Sequence, residues 1–99
     1  MKTPEGYEKD KLKKWLKEAG VWYFSPFMRG YGEAGIPDTI ACWDGKFIGL
    51  EVKAEGKSPT KQQAHRLADI RKAGGLAFWG TASVLIQELL WIANASKKT

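Results

Sequence analysis

Three residues near the middle of the chain have the types and spacing that phosphoryl chemistry requires. Asp38 follows a proline, and Glu51 and Lys53 stand further along the chain, two positions apart. Paired carboxylates with water ligands suit Mg²⁺, and a neighbouring ammonium can hold a phosphate oxygen or an attacking water in place. These residues indicate a metal-dependent hydrolytic site.

The turn between the two carboxylates predicts how they meet. Asp44-Gly45 is a dipeptide preferred in two-residue hairpin loops. Such a loop pairs Trp43 with Lys46, and the same register places Asp38 directly opposite Glu51. Opposed residues have Cβ atoms roughly 4.5–5.5 Å apart on one face, so the two charges repel unless a cation lies between them. A bulge or a longer loop would shift the pairs by one and separate the carboxylates.

Strand alternation adds the lysine to the same surface. Glu51 and Lys53 share one face, and the apolar alternate residues share the other and can pack inward: Ile48, Leu50 and Val52. In the alternative interpretation, Asp38 is only a polar residue at a strand entry, and the other two belong to a solvent-facing sheet surface. The predicted register favours the site.

The order of apolar patterns and turn signals predicts an α/β fold, with helices flanking a mixed sheet. Thr60 is predicted to open the second helix and Gly74-Gly75 to end it. The predicted elements are a helix over residues 7–19, strands over 21–24, 38–43 and 46–53, a helix from 60 to 73, a strand over 76–79 and a helix over 81–95. The order is therefore α-β-β-β-α-β-α.

Length and composition limit the possible classes of protein. Ninety-nine residues predict one domain, and a net charge of +5 favours a polyanionic partner such as nucleic acid. The lone Cys42 excludes an internal disulfide and a cysteine zinc site. We find neither an apolar stretch long enough to span a membrane nor a secretory signal, and therefore expect a cytoplasmic protein.

The ordered motifs resemble the VRR-NUC family of the PD-(D/E)XK nuclease superfamily, in its small stand-alone phage and bacterial form. The resemblance covers nearly the whole chain. It rests first on Gly35-Ile36-Pro37-Asp38 and on Glu51-Val52-Lys53. Four further features agree with it: a helical glutamate (Glu8), a glycine-rich approach to the aspartate (residues 29–35), a Thr-x-x-Gln helix start (Thr60 to Gln63) and a paired glycine (Gly74-Gly75). It implies a restriction-endonuclease-like core.

The resemblance also implies roles for individual residues. Asp38, Glu51 and the main-chain carbonyl of Val52 are expected to bind Mg²⁺ or Mn²⁺, with Lys53 assisting the attacking water. Gln63 is expected to complete the catalytic set. It also has the spacing of a capping box with Thr60, and Gln62 takes its place if the alignment shifts by one.

Further residues are assigned to metal and DNA. Glu8 is a metal-ligand candidate, although a glutamate in a first helical turn is also stabilised by the helix dipole alone. DNA contacts are predicted for a set of basic and aromatic residues: Arg29, Tyr31, Lys57 and Lys61. The last helix carries more apolar surface than one side of a small sheet needs, so we expect a homodimer.

The leading hypothesis is therefore a Mg²⁺- or Mn²⁺-dependent endonuclease that cleaves DNA in replication, repair or recombination, at branched structures such as four-way junctions or flaps. The alternative is a non-catalytic nucleic-acid-binding module, which predicts salt-dependent binding without cleavage. A third hypothesis is an assembly subunit that dimerises and recruits larger complexes.

Overall fold

The computed structural model describes residues 2–26 and 34–97, and its elements follow the predicted order. They are α1 (Pro4–Glu18), β1 (Trp22–Phe24), β2 (Thr39–Trp43), β3 (Lys46–Val52), α2 (Lys61–Lys72), β4 (Leu76–Gly80) and α3 (Ala82–Lys97). The α/β class and the order α-β-β-β-α-β-α are confirmed.

The four strands form one sheet in the order β1-β2-β3-β4. β2 pairs antiparallel with both β1 and β3, whereas β3 and β4 run parallel. Parallel neighbours need a crossover connection, and α2 supplies it. The sheet is therefore mixed, as predicted, and β3 lies inside it with a partner on each side.

The β2–β3 hairpin has the predicted register. Asp44 and Gly45 take φ angles of 53° and 76°, the left-handed values that a type I′ turn requires at both central positions. Trp43 then pairs with Lys46, and the ladder continues regularly to Thr39 opposite Leu50. Asp38 is the next residue beyond that last pair. The turn chemistry therefore determines which side chains meet at the far end of the hairpin.

The two faces of β3 have different partners. Ile48, Leu50 and Val52 are fully buried in a core formed with α1 and α3. On the opposite face, a Cβ on Gly49 would lie 2.7 Å from Cδ1 of Ile70 in α2, so a larger residue there would require the Ile70 side chain to shift. Glu51 belongs to the same face as Gly49 by alternation. By this alternation, Glu51 lies on the face of β3 opposite to Leu50 and Val52.

Helix α1 begins earlier than its apolar spacing predicts. The Thr3 hydroxyl accepts a hydrogen bond from the Gly6 N–H (3.0 Å), and Pro4 occupies the first helical turn, where its missing N–H is not needed. The predicted start at Tyr7 is therefore wrong by three residues. The earlier start brings Glu5 into the first turn of the helix.

Helix α3 is divided between core and surface. Leu85 and Leu89 are fully buried and Ile92 nearly so, whereas three large apolar side chains remain exposed: Val84, Leu90 and Trp91. These exposed residues form an apolar surface on the outside of a packed helix.

Within the described residues, no helix is both long enough and apolar enough to cross a membrane.

Candidate active site

Asp38 is held at the end of the hairpin by contacts to both carboxylate oxygens. Its Oδ2 accepts a hydrogen bond from the Val52 N–H (3.0 Å), and its Oδ1 lies 3.3 Å from the Lys9 ammonium. The side chain thus takes the place of a backbone partner just beyond the end of β2. Because Val52 directly follows Glu51, this hydrogen bond holds Asp38 beside the second carboxylate.

Glu51 is a buried carboxylate with an unsatisfied oxygen. Its side chain is 2% exposed, and Oε1 has no hydrogen-bond partner among the residues that the structure describes. Burial, reinforced by the negative charge of Asp38 and opposed by Lys53, raises the pKa of Glu51 from 4.5 to about 8. A buried polar atom without a partner is costly, so this oxygen requires an explanation.

Lys53 lies beside Glu51, as strand alternation predicts. Its Nζ is 3.7 Å from Oε2 of Glu51 and 3.9 Å from Oε1 of Glu5 in α1, and its side chain is mostly buried. Lys53 directly follows β3, and its backbone N–H still donates a hydrogen bond to the Gly80 carbonyl (2.8 Å). The ammonium is therefore held between Glu51 and Glu5.

Glu5 and Lys9 are site residues that the sequence reasoning missed. They lie four residues apart on one face of α1, with Lys9 Nζ 3.5 Å from Glu5 Oε2. Partial burial disfavours the charged ammonium of Lys9, but its interactions with Asp38 and Glu5 favour that form more strongly. The pKa of Lys9 is therefore raised above its ordinary value of 10.5. The capping signal Thr3-Pro4 was the sequence feature that could have placed Glu5 on the helix.

Glu8, the predicted metal candidate, is engaged elsewhere. Its Oε1 accepts a hydrogen bond from the Ala82 N–H (2.8 Å) at the start of α3, and its Oε2 lies 3.6 Å from Lys11. A carboxylate at a helix N-terminus satisfies one of the free N–H groups and interacts favourably with the helix dipole. Glu8 therefore makes a capping contact with α3. The glutamate that lies beside Lys53 is Glu5.

Gln63 adopts the capping arrangement. Its Oε1 accepts from the Thr60 N–H (2.9 Å), and its own N–H donates to the Thr60 hydroxyl (3.2 Å). The alternative Gln62 is exposed. Both lie beneath Gly35, whose φ is 80° and whose Cβ, if present, would be 2.7 Å from the Gln62 backbone. Gly35 therefore packs closely on the N-terminal turn of α2.

The predicted DNA-contacting residues are only partly described. Arg29 and Tyr31 lie outside the described residues. Lys57 is exposed in the loop that follows Lys53, and Lys61 lines an open cleft of about 410 Å³ together with Ala34, Gln62, His65 and Arg66. These two lysines therefore lie on the chain segments adjoining the candidate site.

The donor set fits a small divalent cation with few protein ligands. Within residues 2–26 and 34–97, no three His, Cys, Asp or Glu side chains cluster as a metal cage. Asp38 and Glu51 offer two carboxylates, and the unsatisfied Oε1 of Glu51 has the character of a ligand atom. Mg²⁺ is typically bound by one or two carboxylates and keeps several waters. Asp38, Glu51 and the Val52 carbonyl are the groups that could hold such a cation.

No protein-family model matches the chain, and no curated protein matches it. A solved structure named "VRR_NUC domain" matches with a TM-score of 0.73 and 23% sequence identity, over 89% of this chain and 95% of that one. The chain has the VRR_NUC fold. The fold implied by the sequence resemblance is confirmed.

Proposed function

We propose that the protein is a nuclease that hydrolyses phosphodiester bonds of DNA with the help of Mg²⁺ or Mn²⁺. The observation that carries the proposal is the buried Glu51, with its unsatisfied Oε1, which lies beside Asp38 and in contact with Lys53. Such an arrangement is electrostatically unfavourable in a purely structural role. The VRR_NUC fold supports the same function.

Each residue of the site has a stated task in this proposal. Asp38 and Glu51, with the Val52 carbonyl, would hold the cation, which when bound supplies Lewis-acid stabilisation of charge on the phosphoryl group. The Lys53 ammonium orients the attacking water or a phosphate oxygen. Glu5, whose Oε1 lies 3.9 Å from the Lys53 ammonium, gives that ammonium a second carboxylate partner. Gln63 acts indirectly, by capping the helix on which Gly35 packs.

The cleavage test uses linear duplex, flap and four-way-junction DNA, each with Mg²⁺, with Mn²⁺ and with EDTA. Wild-type protein is expected to cut within the strand, with a preference for branched substrates, and Asp38→Asn and Lys53→Met are expected to lose cleavage. Asp44→Asn in the hairpin turn is the matched control and should retain it. Cleavage that survives EDTA or Asp38→Asn would contradict the metal-site assignment, and salt-dependent binding without cleavage would favour the binding-module alternative.

We also propose that the protein works as a homodimer that contacts itself through α3. Val84, Leu90 and Trp91 are 47%, 41% and 70% exposed, and Leu90 and Trp91 border a cavity of about 620 Å³ on the outside of the helix. A second copy would cover this surface and present two active sites to a branched DNA. Trp91→Lys should give a monomer by light scattering, whereas Trp22→Lys, at an equally exposed aromatic on β1, should not. A monomeric wild-type protein would contradict the homodimer proposal and leave the nuclease proposal unaffected.

A further inference from the structure

Lys9 makes a direct contact with the candidate metal site, although it lies on a helix that is rich in solvent-exposed lysines. Its Nζ lies between Asp38 Oδ1 (3.3 Å) and Glu5 Oε2 (3.5 Å), and only about a third of its side chain is exposed. Lys11 and Lys14 on the same helix are exposed. The environment of Lys9 therefore differs from that of a lysine on a solvated helix face.

The charges around Lys9 alternate in sign. Lys53 lies 3.7 Å from Glu51 and 3.9 Å from Glu5, so Glu5 stands between the two ammonium groups, and each ammonium contacts one carboxylate of the opposed pair. With all five groups ionised, the three carboxylates and two ammonium groups carry a net charge of −1. Two opposed carboxylates repel each other, and this pairing offsets the repulsion in the metal-free protein.

A divalent cation between Asp38 and Glu51 would change that balance. With both lysines in place, its +2 charge would make the cluster +1, whereas without Lys9 the cluster would be neutral. Like charges a few ångströms apart repel strongly in a partly buried site. Lys9 also touches Oδ1, the Asp38 oxygen that does not accept from Val52. A cation that binds Oδ1 would therefore compete with the Lys9 ammonium for this oxygen.

We propose that Lys9 is an internal counter-ion of Asp38 that a divalent cation displaces, so that Lys9 sets the metal affinity of the site. The proposal rests on the proposed function only in requiring that the carboxylate pair binds metal. Lys9 stabilises the metal-free protein and opposes metal binding. Its long, flexible stem allows the ammonium to withdraw to solvent when the cation binds.

The test measures Mn²⁺ binding to the metal-free protein by titration calorimetry, without DNA. Lys9→Met should bind Mn²⁺ about five- to tenfold more tightly than wild type, because one nearby positive charge is removed. Lys9→Arg keeps the charge and should restore the wild-type affinity. Lys14→Met makes the same change in net charge on the same helix and should stay within about twofold of wild type, because exposed charges are screened.

Thermal unfolding supplies a second readout. Without metal, Lys9→Met should unfold at a lower temperature than wild type, and saturating Mn²⁺ should raise its unfolding temperature by more than it raises that of wild type. If Lys9→Met does not fold, Lys9→Gln retains a neutral donor toward Asp38 and allows the same comparison. An unchanged or weaker affinity in these variants, or an equal change in Lys14→Met, would overturn the proposal. Wild-type protein that binds no Mn²⁺ would refute the proposed function as well.

Discussion

Replacement of Glu51 by glutamine should make the metal-free protein more resistant to unfolding near pH 8, although it removes a residue of the candidate site. The side chain is almost fully buried, and burial together with Asp38 raises its pKa to about 8, against 4.5 in the unfolded chain. Between those two values the folded state binds more protons at this group than the unfolded state. Stability therefore falls as the pH rises through this range.

The size of the effect follows from the same two pKa values. Each unit of difference is about 1.36 kcal/mol, so the loss reaches about 3 kcal/mol by pH 7 and levels off above pH 8. Below pH 4.5 the carboxyl group is protonated in both states, and the loss disappears. Glutamine has nearly the same shape and does not titrate. The gain in stability of Glu51→Gln over wild type is smaller than this loss, because Lys53 loses one of its two carboxylate partners.

The assay is urea unfolding in EDTA at half-unit steps from pH 5 to pH 8.5. Both proteins carry His65→Asn, which removes the one imidazole of the chain. Wild type should lose stability steadily with rising pH, and Glu51→Gln should lose much less. Adding Mn²⁺ at pH 7.5 should stabilise wild type and leave the variant unchanged. Parallel pH profiles for the two proteins would refute the argument from a buried, destabilised carboxylate.

Two further substitutions test how the site is positioned. Gly35→Ala should destabilise the protein by about 2 kcal/mol or more, because the new Cβ would lie 2.7 Å from the Gln62 backbone and the φ of 80° is strained for alanine. Gly20→Ala is the control, because Gly20 has a similar φ of 74° but open space around the new Cβ. An equally large loss of stability in Gly20→Ala would contradict the packing argument. Glu8→Ala should reduce stability by about 1 kcal/mol through the lost contact to the Ala82 N–H and leave Mn²⁺ affinity unchanged. A large fall in Mn²⁺ affinity would instead support Glu8 as a metal ligand.

Local sequence signals predicted the hairpin correctly because its geometry depends on neighbouring residues. A two-residue turn at Asp44-Gly45 determines every pair up to Thr39 and Leu50, and strand alternation then puts Glu51 and Lys53 on one face. The order of elements was predicted for the same reason, since each follows from its own apolar period and its own caps. The metal, DNA and dimer assignments remain predictions, because they depend on groups outside the chain.

The start of α1 was predicted wrongly, although a local signal for it was present in the sequence. The apolar spacing indicated a start at Tyr7, whereas the Thr3 cap and Pro4 set the start three residues earlier. Glu5 was left outside the helix as a result, and Glu8 was the helical glutamate assigned to the metal. In the structure Glu8 contacts Ala82, which lies 74 positions away. No local pattern could show that contact.

The sequence by itself determined the fold order, the hairpin register and the meeting of Asp38 with Glu51, because turns, strand periods and caps act between neighbours along the chain. Only the tertiary structure decided what surrounds that pair. The packing of α1 against the rest of the fold brings Glu5 and Lys9 to the carboxylates, and the burial of Glu51 leaves Oε1 without a partner. The charge balance of the site is a long-range property, because burial and charge pairing depend on elements distant in sequence.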